Sequence, residues 1–208
     1  MVLRTISKWG FMESESKLEK VVTGYKLWLG EPGDIVVKRR AQPSTMAPNE
    51  IHVLFFPPID GDGEDNITTV ATAGMSVVAQ PGSYPYVELG LELKGNCAAS
   101  ERGPIATCLA DLASVPFLHN RPFEPNLILE DVTIPLFANM HFALVTRWDR
   151  VSDIKLPDTD PPVIILRLTP LYKAEADLAG QMGDVKALTF LEGKGMDRAD
   201  FNRGSILP

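Results

Sequence analysis

Residues 86–94 constrain the fold of this chain more than any other segment, because their side chains alternate strictly between two classes. The apolar series is Val87, Leu89, Leu91 and Leu93, and the series between them is Glu88, Gly90, Glu92 and Lys94. Alternation with a period of two is typical of a β-strand that turns one face to a core and the other to water. The sequence therefore predicts a strand here, with Glu88 and Glu92 on its wet face.

Other runs rich in β-branched and aromatic residues predict further strands, each bounded by turn-forming residues. These runs are residues 34–39, 51–56, 67–73, 127–134, 140–147 and 163–168. Together with residues 86–94 they predict a sheet of six or seven strands.

Apolar residues at three- and four-residue steps predict helices before, between and after these strands. The predicted helices begin at Ser14 or Ser16 and end at Leu29, cover residues 103–115, run from Thr169 to about Met182, and cover residues 184–191. Pro116 is expected to end the second helix. Thr169 and Pro170 supply the third with a cap residue and a proline at the first helical position.

This order of elements predicts an α+β fold, in which helices pack on a mixed, largely antiparallel sheet. The 208 residues fit one domain, residues 1–208, because no linker or internal repeat divides the chain. A domain usually takes about 100–200 residues.

Composition and charge exclude several function classes. A net charge of −7 argues against nucleic-acid binding, which depends on clustered lysine and arginine, and the basic cluster of this chain is confined to residues 38–40. No apolar run approaches the roughly 18 residues of a membrane span, and the N-terminus lacks the pattern of a secretory signal. We therefore expect a cytoplasmic protein that binds neither nucleic acid nor membrane.

The chain shows no local pattern for a metal, a cofactor or catalysis. Cys97 and Cys108 lack the spacing of a zinc site, so two free thiols are expected. His52, His119 and His141 are scattered, and none lies in an HExxH frame. The glycine-rich loops that hold phosphates and the nucleophile elbow are also missing. The sequence thus predicts a protein that is not an enzyme.

Residues 60–65 are acidic and punctuated by glycine, which predicts a turn and suggests calcium binding. An EF-hand loop needs a glutamate at its twelfth position, where this chain has Ala71. A solvated turn is the favoured interpretation, and an acidic recognition loop is the alternative. The candidate partner-binding residues of that loop are Asp60, Asp62, Glu64 and Asp65.

Two further hypotheses stay open at this point. An unrecognised hydrolase or transferase would assemble its acid–base pair from distant positions, which leaves no local pattern. That pair would draw on Asp60, Asp62, Glu88 or Glu92 together with a histidine. A structural subunit of a larger assembly would instead show a large exposed apolar patch.

Four segments resemble, in order, segments of the Suppressor-of-fused domain family. Residues 72–76, Thr-Ala-Gly-Met-Ser, resemble the family's T/F-x-G-[ML]-S strand end, and residues 87–94 resemble its x-E-L-x-[LF]-x-L strand. Residues 163–178 look like its v-x-F-L-x-[IV]-x-P-[IL]-x-x-x-E-x-x-L unit, and residues 200–206 like its closing D-x-x-R-x-[SE]-[IV]. Their order and spacing make nearly the whole chain similar to the bacterial single-domain members.

The resemblance implies a domain that binds another protein. Animal members sequester a transcription factor by clasping an extended peptide between two lobes, and bacterial members are often proposed to neutralise polymorphic toxins as immunity or accessory proteins. Thr68 and Thr69 stand where animal members carry a Trp/His-containing segment, and animal members continue into a second domain. We therefore carry over none of the animal contact residues.

Residues 80–86 are a second candidate partner-binding segment, because two tyrosines and two prolines suit a preorganised loop with aromatic anchors. The candidate residues are Gln80, Ser83, Tyr84 and Tyr86. A plain hairpin connection between two strands explains the segment equally well. The expected partner is an unidentified protein, which would be a toxin if the chain is an immunity protein.

Overall fold

The computed structural model describes residues 16–41, 46–58, 66–156 and 161–208. Its helices are α1 (Lys17–Leu29), α2 (Ala99–His119), α3 (Lys173–Met182) and α4 (Asp184–Gly193), and Met75–Val77 form a 3-10 turn. The strands are β1 (Asp34–Arg39), β2 (Glu50–Phe56), β3 (Ile67–Ala73), β4 (Val87–Lys94), β5 (Ile128–Glu130), β6 (Phe142–Arg147) and β7 (Ile164–Leu171).

The strands form one sheet in the order β1-β2-β3-β4-β7-β6-β5. Neighbouring strands are antiparallel, except that β4 and β7 are parallel. A parallel pair needs a long crossover, and here the crossover contains α2, β5 and β6. The predicted α+β fold with a mixed, largely antiparallel sheet is confirmed, and β1 and β5 are its edge strands.

The two faces of the sheet carry different cores. We call the face covered by α2 the front face, where a continuous apolar core includes Leu91 of β4 and Leu109 of α2. On the back face, α1 covers one cluster around Tyr25 and Phe56. Helices α3 and α4 cover a second back-face cluster around Leu144. The front core is therefore continuous, whereas the back core is divided.

Ser16, one of the two predicted cap residues, begins α1 through a reciprocal pair of hydrogen bonds. Its Oγ accepts from Glu19 N at 3.2 Å, and its own N donates to Glu19 Oε2 at 2.7 Å. This capping box satisfies N–H groups that the start of a helix leaves without partners. Gly30 follows the last residue of the helix with φ 78°, a conformation that costs glycine little.

Helix α2 is longer than predicted, and the prediction that Pro116 ends it is wrong. The helix begins at Ala99, where Glu101 caps the first turn, and it runs to His119. Pro116 is buried inside the helix. The helix therefore continues through a position where proline cannot donate a backbone hydrogen bond. Asn120 then leaves the helix in the left-handed region, at φ 51°.

The prediction that a helix begins at Thr169 and Pro170 is also wrong, because both residues lie within β7. Pairing with β6 extends the strand through Thr169 and Pro170, the two residues of the predicted helix start. The helix begins at Lys173 instead, where Glu175 Oε2 accepts from Tyr172 N at 3.1 Å. A sheet partner far away in the sequence thus overrides a local helix-start signal.

Strands β5 and β6 are shorter than predicted. Of residues 127–134, only Ile128–Glu130 form a strand, because Asp131 adopts φ 56° and turns the chain out of the sheet. Strand β6 begins at Phe142, two residues later than the prediction of residue 140.

The prediction of a wet face on β4 is wrong, since Glu88 is 0% exposed and Glu92 is 7% exposed. Strand β4 lies at the centre of the sheet, and both of its faces are covered. At the back, Trp148 packs so closely on Gly90 that a Cβ there would lie 1.9 Å from Trp148 Cζ3. Both carboxylates of the alternating pattern therefore need partners inside the protein.

Candidate protein-binding site

A groove of about 1130 Å³ lies beside α2, and we call it the α2 groove. It is lined by one side of α2, by residues 38–41, 48, 49 and 51 near the end of β1, and by residues 131–133 after β5. The α2 wall comprises Pro104, Thr107, Cys108, Ala110, Asp111, Leu112, Ser114, Val115, Leu118 and His119. Small-molecule pockets usually measure about 300–1,000 Å³. The groove therefore has room for an extended segment of polypeptide.

The end of β1 gives the groove a positive wall. Lys38 and Arg40 lie on the front side of β1, together with Val36, which packs against the front core. Among the described residues, neither Lys38 nor Arg40 is paired with a carboxylate. Arg39 belongs to the back side, where its Nε donates to Glu50 Oε2 at 2.6 Å. That hydrogen bond is the largest of the influences that lower the pKa of Glu50.

The three histidines do not supply a base to the buried carboxylates of β4. His52 Nε2 lies 2.5 Å from Glu50 Oε1, His141 Nδ1 lies 3.0 Å from Thr133 Oγ1, and His119 is exposed in the α2 groove. In the described part of the chain, no β4 carboxylate is therefore assembled with a histidine as a hydrolase or transferase would require. Asp60 and Asp62, the other carboxylates of that hypothesis, lie outside the described residues.

Both cysteines are free, as predicted. Cys108 lies in the α2 groove, where burial, followed by the charge of Asp111, raises the pKa of its thiol to about 11. Burial likewise raises the pKa of Cys97. Because the thiolate is the reactive form, neither cysteine is poised as a nucleophile at neutral pH.

Loop 80–86 leads from the 3-10 turn into β4, so it belongs to the connection between the neighbouring strands β3 and β4. Gln80 is buried, and its Nε2 donates to Tyr84 O at 2.7 Å and to Phe123 O at 2.8 Å. Phe123 N donates back to Gln80 Oε1 at 3.0 Å. Gln80 therefore positions the loop against the segment after α2, and Ser83 remains exposed.

The remaining sequence candidates are divided between the faces of the sheet. Tyr84 is half-buried against the front core, and Tyr86 is half-buried against the α1 cluster on the back. Their rings are thus partly used in packing. The acidic candidates Asp60, Asp62, Glu64 and Asp65 lie outside the described residues.

Glu88 joins two of the four segments on which the family resemblance depends. Its carboxylate accepts hydrogen bonds from Thr72 Oγ1 at 2.7 Å, Gly74 N at 2.9 Å, Met75 N at 3.3 Å, Ser76 N at 2.9 Å and Ser76 Oγ at 2.6 Å. Burial raises the pKa of Glu88 and outweighs the lowering effect of these bonds. Glu88 therefore holds the turn that precedes loop 80–86, and it is closed off from any ligand.

Glu175 joins the other two segments. Arg203 donates from Nη1 to Glu175 Oε1 at 2.7 Å and from Nη2 to Glu175 Oε2 at 2.8 Å. Arg203 Nη2 also donates to Pro170 O at 3.0 Å, and Ile206 N donates to Glu175 Oε1 at 3.0 Å. Tyr172 Oη completes the connection by donating to Arg203 O at 2.8 Å. These bonds attach the C-terminal segment to β7 and α3.

Glu92 lies between the two back-face clusters, in a charged cleft of about 460 Å³. Arg167 Nη1 lies 3.5 Å from Glu92 Oε2 and 3.2 Å from Asp149 Oδ1. Arg150 Nε lies 3.4 Å from Glu92 Oε1, and Trp148 Nε1 donates to the same oxygen at 3.3 Å. Charges of both signs are thus paired in the cleft and connect β4 and β7 to residues 148–150.

Metal ligands and membrane-spanning helices can be assessed for the ranges that the structure describes. These ranges contain no group of three or more His, Cys, Asp and Glu residues that could hold a metal ion. None of their helices is long and apolar enough to cross a membrane.

Comparison with known proteins places the chain in one family. The model of the Suppressor of fused protein (SUFU) family matches residues 47–204. A SUFU homologue from Neisseria gonorrhoeae has a TM-score of 0.62 and 16% identity, over 92% of this chain and 97% of that one. A chain of the Sufu–Fu complex has a TM-score of 0.67 and 11% identity, over 93% of each chain.

Drosophila Suppressor of Fused is similar with a TM-score of 0.63 and 12% identity, over 92% of this chain and 50% of that chain. At these identities the structural likenesses show a shared fold. No curated protein sequence matches the chain.

The family match and the buried carboxylates concern the same parts of the molecule. The matched region, residues 47–204, contains Glu88 with its turn and Glu175 with Arg203. It covers well over half of the chain and includes β2 to β7 with α2, α3 and α4. This chain belongs to the Suppressor of fused protein family.

Proposed function

We propose that this chain is a non-enzymatic protein-binding domain and that an extended segment of its partner lies in the α2 groove. The observation that carries the proposal is the groove itself, which at about 1130 Å³ lies beside α2 from Pro104 to His119. Its walls mix exposed polar and apolar side chains, including Thr107 and Leu118. Such a long, open shape suits a peptide segment better than a small molecule.

The α2 wall of the groove belongs to a helix that packs on the core, which favours binding because little conformational freedom of that wall is lost when the partner arrives. The inner side of α2 packs on the front core through Ile105, Leu109 and Leu112. At the far end of the helix, Gln80 fixes loop 80–86 to Phe123. A similar chain was solved in a complex named Sufu–Fu, which supports a protein as the partner.

The finer proposal is that the partner is a toxin and that this chain is its immunity protein. An immunity protein acts by occupying a surface of the toxin, so it needs a preorganised groove and no catalytic group. The similar chain from Neisseria gonorrhoeae, which this chain covers over 97% of its length, supports a bacterial single-domain role.

The test is co-expression with the product of the neighbouring gene. We expect the two proteins to co-elute and the present chain to relieve any growth inhibition that the partner causes. Thr107→Arg should abolish both effects, because it fills the groove from an exposed position on α2. Thr189→Arg on α4 is the matched control, since both threonines are exposed and bond to the carbonyl four residues earlier. Equal behaviour of the two variants would contradict the groove as the binding site.

A further inference from the structure

Strand β1 forms one wall of the α2 groove, and within the described ranges no strand pairs with its outer edge. Arg40 N donates to Asn49 O at 2.9 Å, which continues the ladder with β2. Hydrogen bonding alternates from residue to residue along an antiparallel ladder. The backbone groups of Val37 and Arg39 therefore point away from β2, toward the free edge. An edge of this kind can accept an additional strand.

The side chains of β1 differ sharply between its two faces. On the front, Lys38 and Arg40 stand two residues apart, or about 6.8 Å along the strand. Neither has a carboxylate partner in the described part of the chain. On the back, Ile35 is 42% exposed and Val37 is 41% exposed. The edge thus offers two unpaired cations on one side and two uncovered apolar side chains on the other.

The other charges of the groove restrict where an acidic segment can lie. Asp111 on α2 and Asp131 after β5 line the same groove. Their carboxylates repel an acidic segment from the α2 wall and from the part of the groove lined by residues 131–133. The wall formed by Lys38 and Arg40 is therefore the favoured location for negative charge. The net charge of −7 repels an acidic segment at long range, so selection of such a segment depends on these local cations.

We propose that the partner segment is an acidic strand that adds to the free edge of β1. Directly opposite residues of neighbouring strands lie on the same face. Acidic side chains at every second position therefore lie opposite Lys38 and Arg40, while the apolar side chains between them cover Ile35 and Val37. This inference rests on the proposed function and specifies the chemistry of its partner.

The charge pattern also explains why the edge stays available. If two copies of this chain paired through β1 with Lys38 opposite Arg40, two cations would lie side by side. Like charges directly opposite each other are destabilising, and lysine on an edge strand is a common protection against self-association. The same two side chains thus disfavour that pairing and favour a partner of opposite charge.

The test uses the whole protein with synthetic peptides of about eight residues, an ordinary strand length. The probe alternates glutamate with valine. One comparison peptide carries the same glutamates in a single block, and the other replaces the glutamates with lysine. We expect only the alternating acidic peptide to bind in fluorescence anisotropy, with an affinity that falls as salt is added. Hydrogen exchange should slow at the Val37 and Arg39 amides.

Charge reversal provides the decisive variants. Lys38→Glu with Arg40→Glu should weaken binding of the alternating peptide at least about tenfold, as expected when paired charges become repulsive. Lys155→Glu with Lys186→Glu changes the net charge equally at two exposed positions and should bind as the wild type does. If the Lys38→Glu, Arg40→Glu variant has a lower melting temperature than wild type, Lys38→Gln with Arg40→Gln removes the two positive charges without adding negative ones and makes the same test.

Three results would overturn the inference: equal binding of the block peptide, equal binding by the charge-reversal variant, or protection on β5 instead of β1. The natural partner separates this inference from the proposed function. If the partner binds the Lys38→Glu, Arg40→Glu variant normally but fails to bind Thr107→Arg, the acidic strand is wrong and the groove function stands. The test with the synthetic peptide requires no natural partner. Its outcome is therefore independent of the outcome of the co-expression test.

Discussion

Two regions of this protein bury a carboxylate completely, and they stabilise it in different ways. Glu88 and Glu175 are both 0% exposed. Glu88 is surrounded by neutral donors, namely backbone N–H groups and hydroxyls of the turn at residues 72–76. Glu175 is paired on both oxygens with the guanidinium of Arg203. One carboxyl group is held by neutral donors without a counter-charge, and the other belongs to a buried ion pair.

The difference reflects what each carboxylate holds together. Glu88 bonds to Gly74, only 14 residues away, and it shapes the turn between two neighbouring strands. Backbone N–H groups suffice there, because Gly74 with φ 123° presents several of them to one point. Glu175 holds Arg203, 28 residues away, and so attaches a separate segment to the sheet. A long, charged side chain can reach across that gap and donate two parallel hydrogen bonds.

The largest expected effect comes from breaking the ion pair. Glu175→Gln leaves the side chain of Arg203, which is 6% exposed, without a counter-charge. We expect a loss of about 3–5 kcal/mol in the free energy of unfolding, measured by urea denaturation. Adding Arg203→Met should restore part of the loss, because no charge then remains buried. A cost equal to that of Glu130→Gln, at an exposed position, would contradict the importance of the pair.

The same chemical change at Glu88 should cost less. Glu88→Gln keeps one oxygen for the N–H groups of Gly74 and Ser76, and Thr72 can rotate its hydroxyl to accept from the new amide. We expect a loss of about 1–2 kcal/mol, mainly from the bond to Met75 N, in the same urea experiment. If Glu88→Gln cost as much as Glu175→Gln, the distinction between neutral donors and a buried counter-charge would be wrong.

Removal of one neutral donor should have a smaller effect again. Ser76→Ala deletes a hydroxyl that donates to Glu88 at 2.6 Å and leaves the backbone donor of the same residue in place. We expect a loss of about 1 kcal/mol. Ser205→Ala, an exposed serine that bonds only locally, is the control and should change stability by less than about 0.5 kcal/mol.

The smallest effect is a pH dependence specific to Glu88. Because burial raises the pKa of this carboxyl in the folded state, the folded protein holds its proton more tightly than the unfolded chain does. The resulting stabilisation is complete below the ordinary carboxyl pKa and is lost as pH rises through the raised value. The stability advantage of wild type over Glu88→Gln should therefore shrink as pH rises. A difference independent of pH would contradict the raised pKa.

The quantity to measure is the difference in unfolding free energy between wild type and Glu88→Gln, because other carboxylates contribute a pH dependence of the opposite sign. Burial raises the pKa of Asp197, but hydrogen bonds led by that of Lys94 lower it overall. The stability that this residue contributes is present above its unfolded pKa and is lost as pH falls. Glu50, with its pKa lowered, acts in the same sense. Both contributions cancel when wild type and Glu88→Gln are compared at each pH.

Local patterns predicted the elements whose boundaries depend on nearby residues. The bounds of β1 and β3 are those predicted, and α1 begins at the serine whose capping box the sequence contains. Boundaries set by distant partners were missed. Helix α2 packs on the front core along its length and continues through Pro116, and β7 passes through Pro170 because β6 pairs with it. No pattern within these segments reports such contacts.

The candidate binding site was predicted only in part. The segment of residues 80–86 is a loop, but Gln80 is used to hold it and does not face outward. The α2 groove was missed, because its walls come from α2, the end of β1 and residues 131–133, which are far apart in the sequence. The basic residues 38–40 were the available signal, but the net charge of −7 led us to weigh them only against nucleic-acid binding.

The sequence by itself determined that residues 86–94 form a strand and that the chain carries the segments of one family in order. It did not determine which face of that strand is wet. Alternation is a property of neighbouring residues along one strand, whereas burial depends on what packs against each face. Only the tertiary structure placed β4 at the centre of the sheet, with α2 in front and Trp148 behind. Glu88 and Glu92, which alternate like surface residues, are for that reason buried carboxylates that hold the fold together.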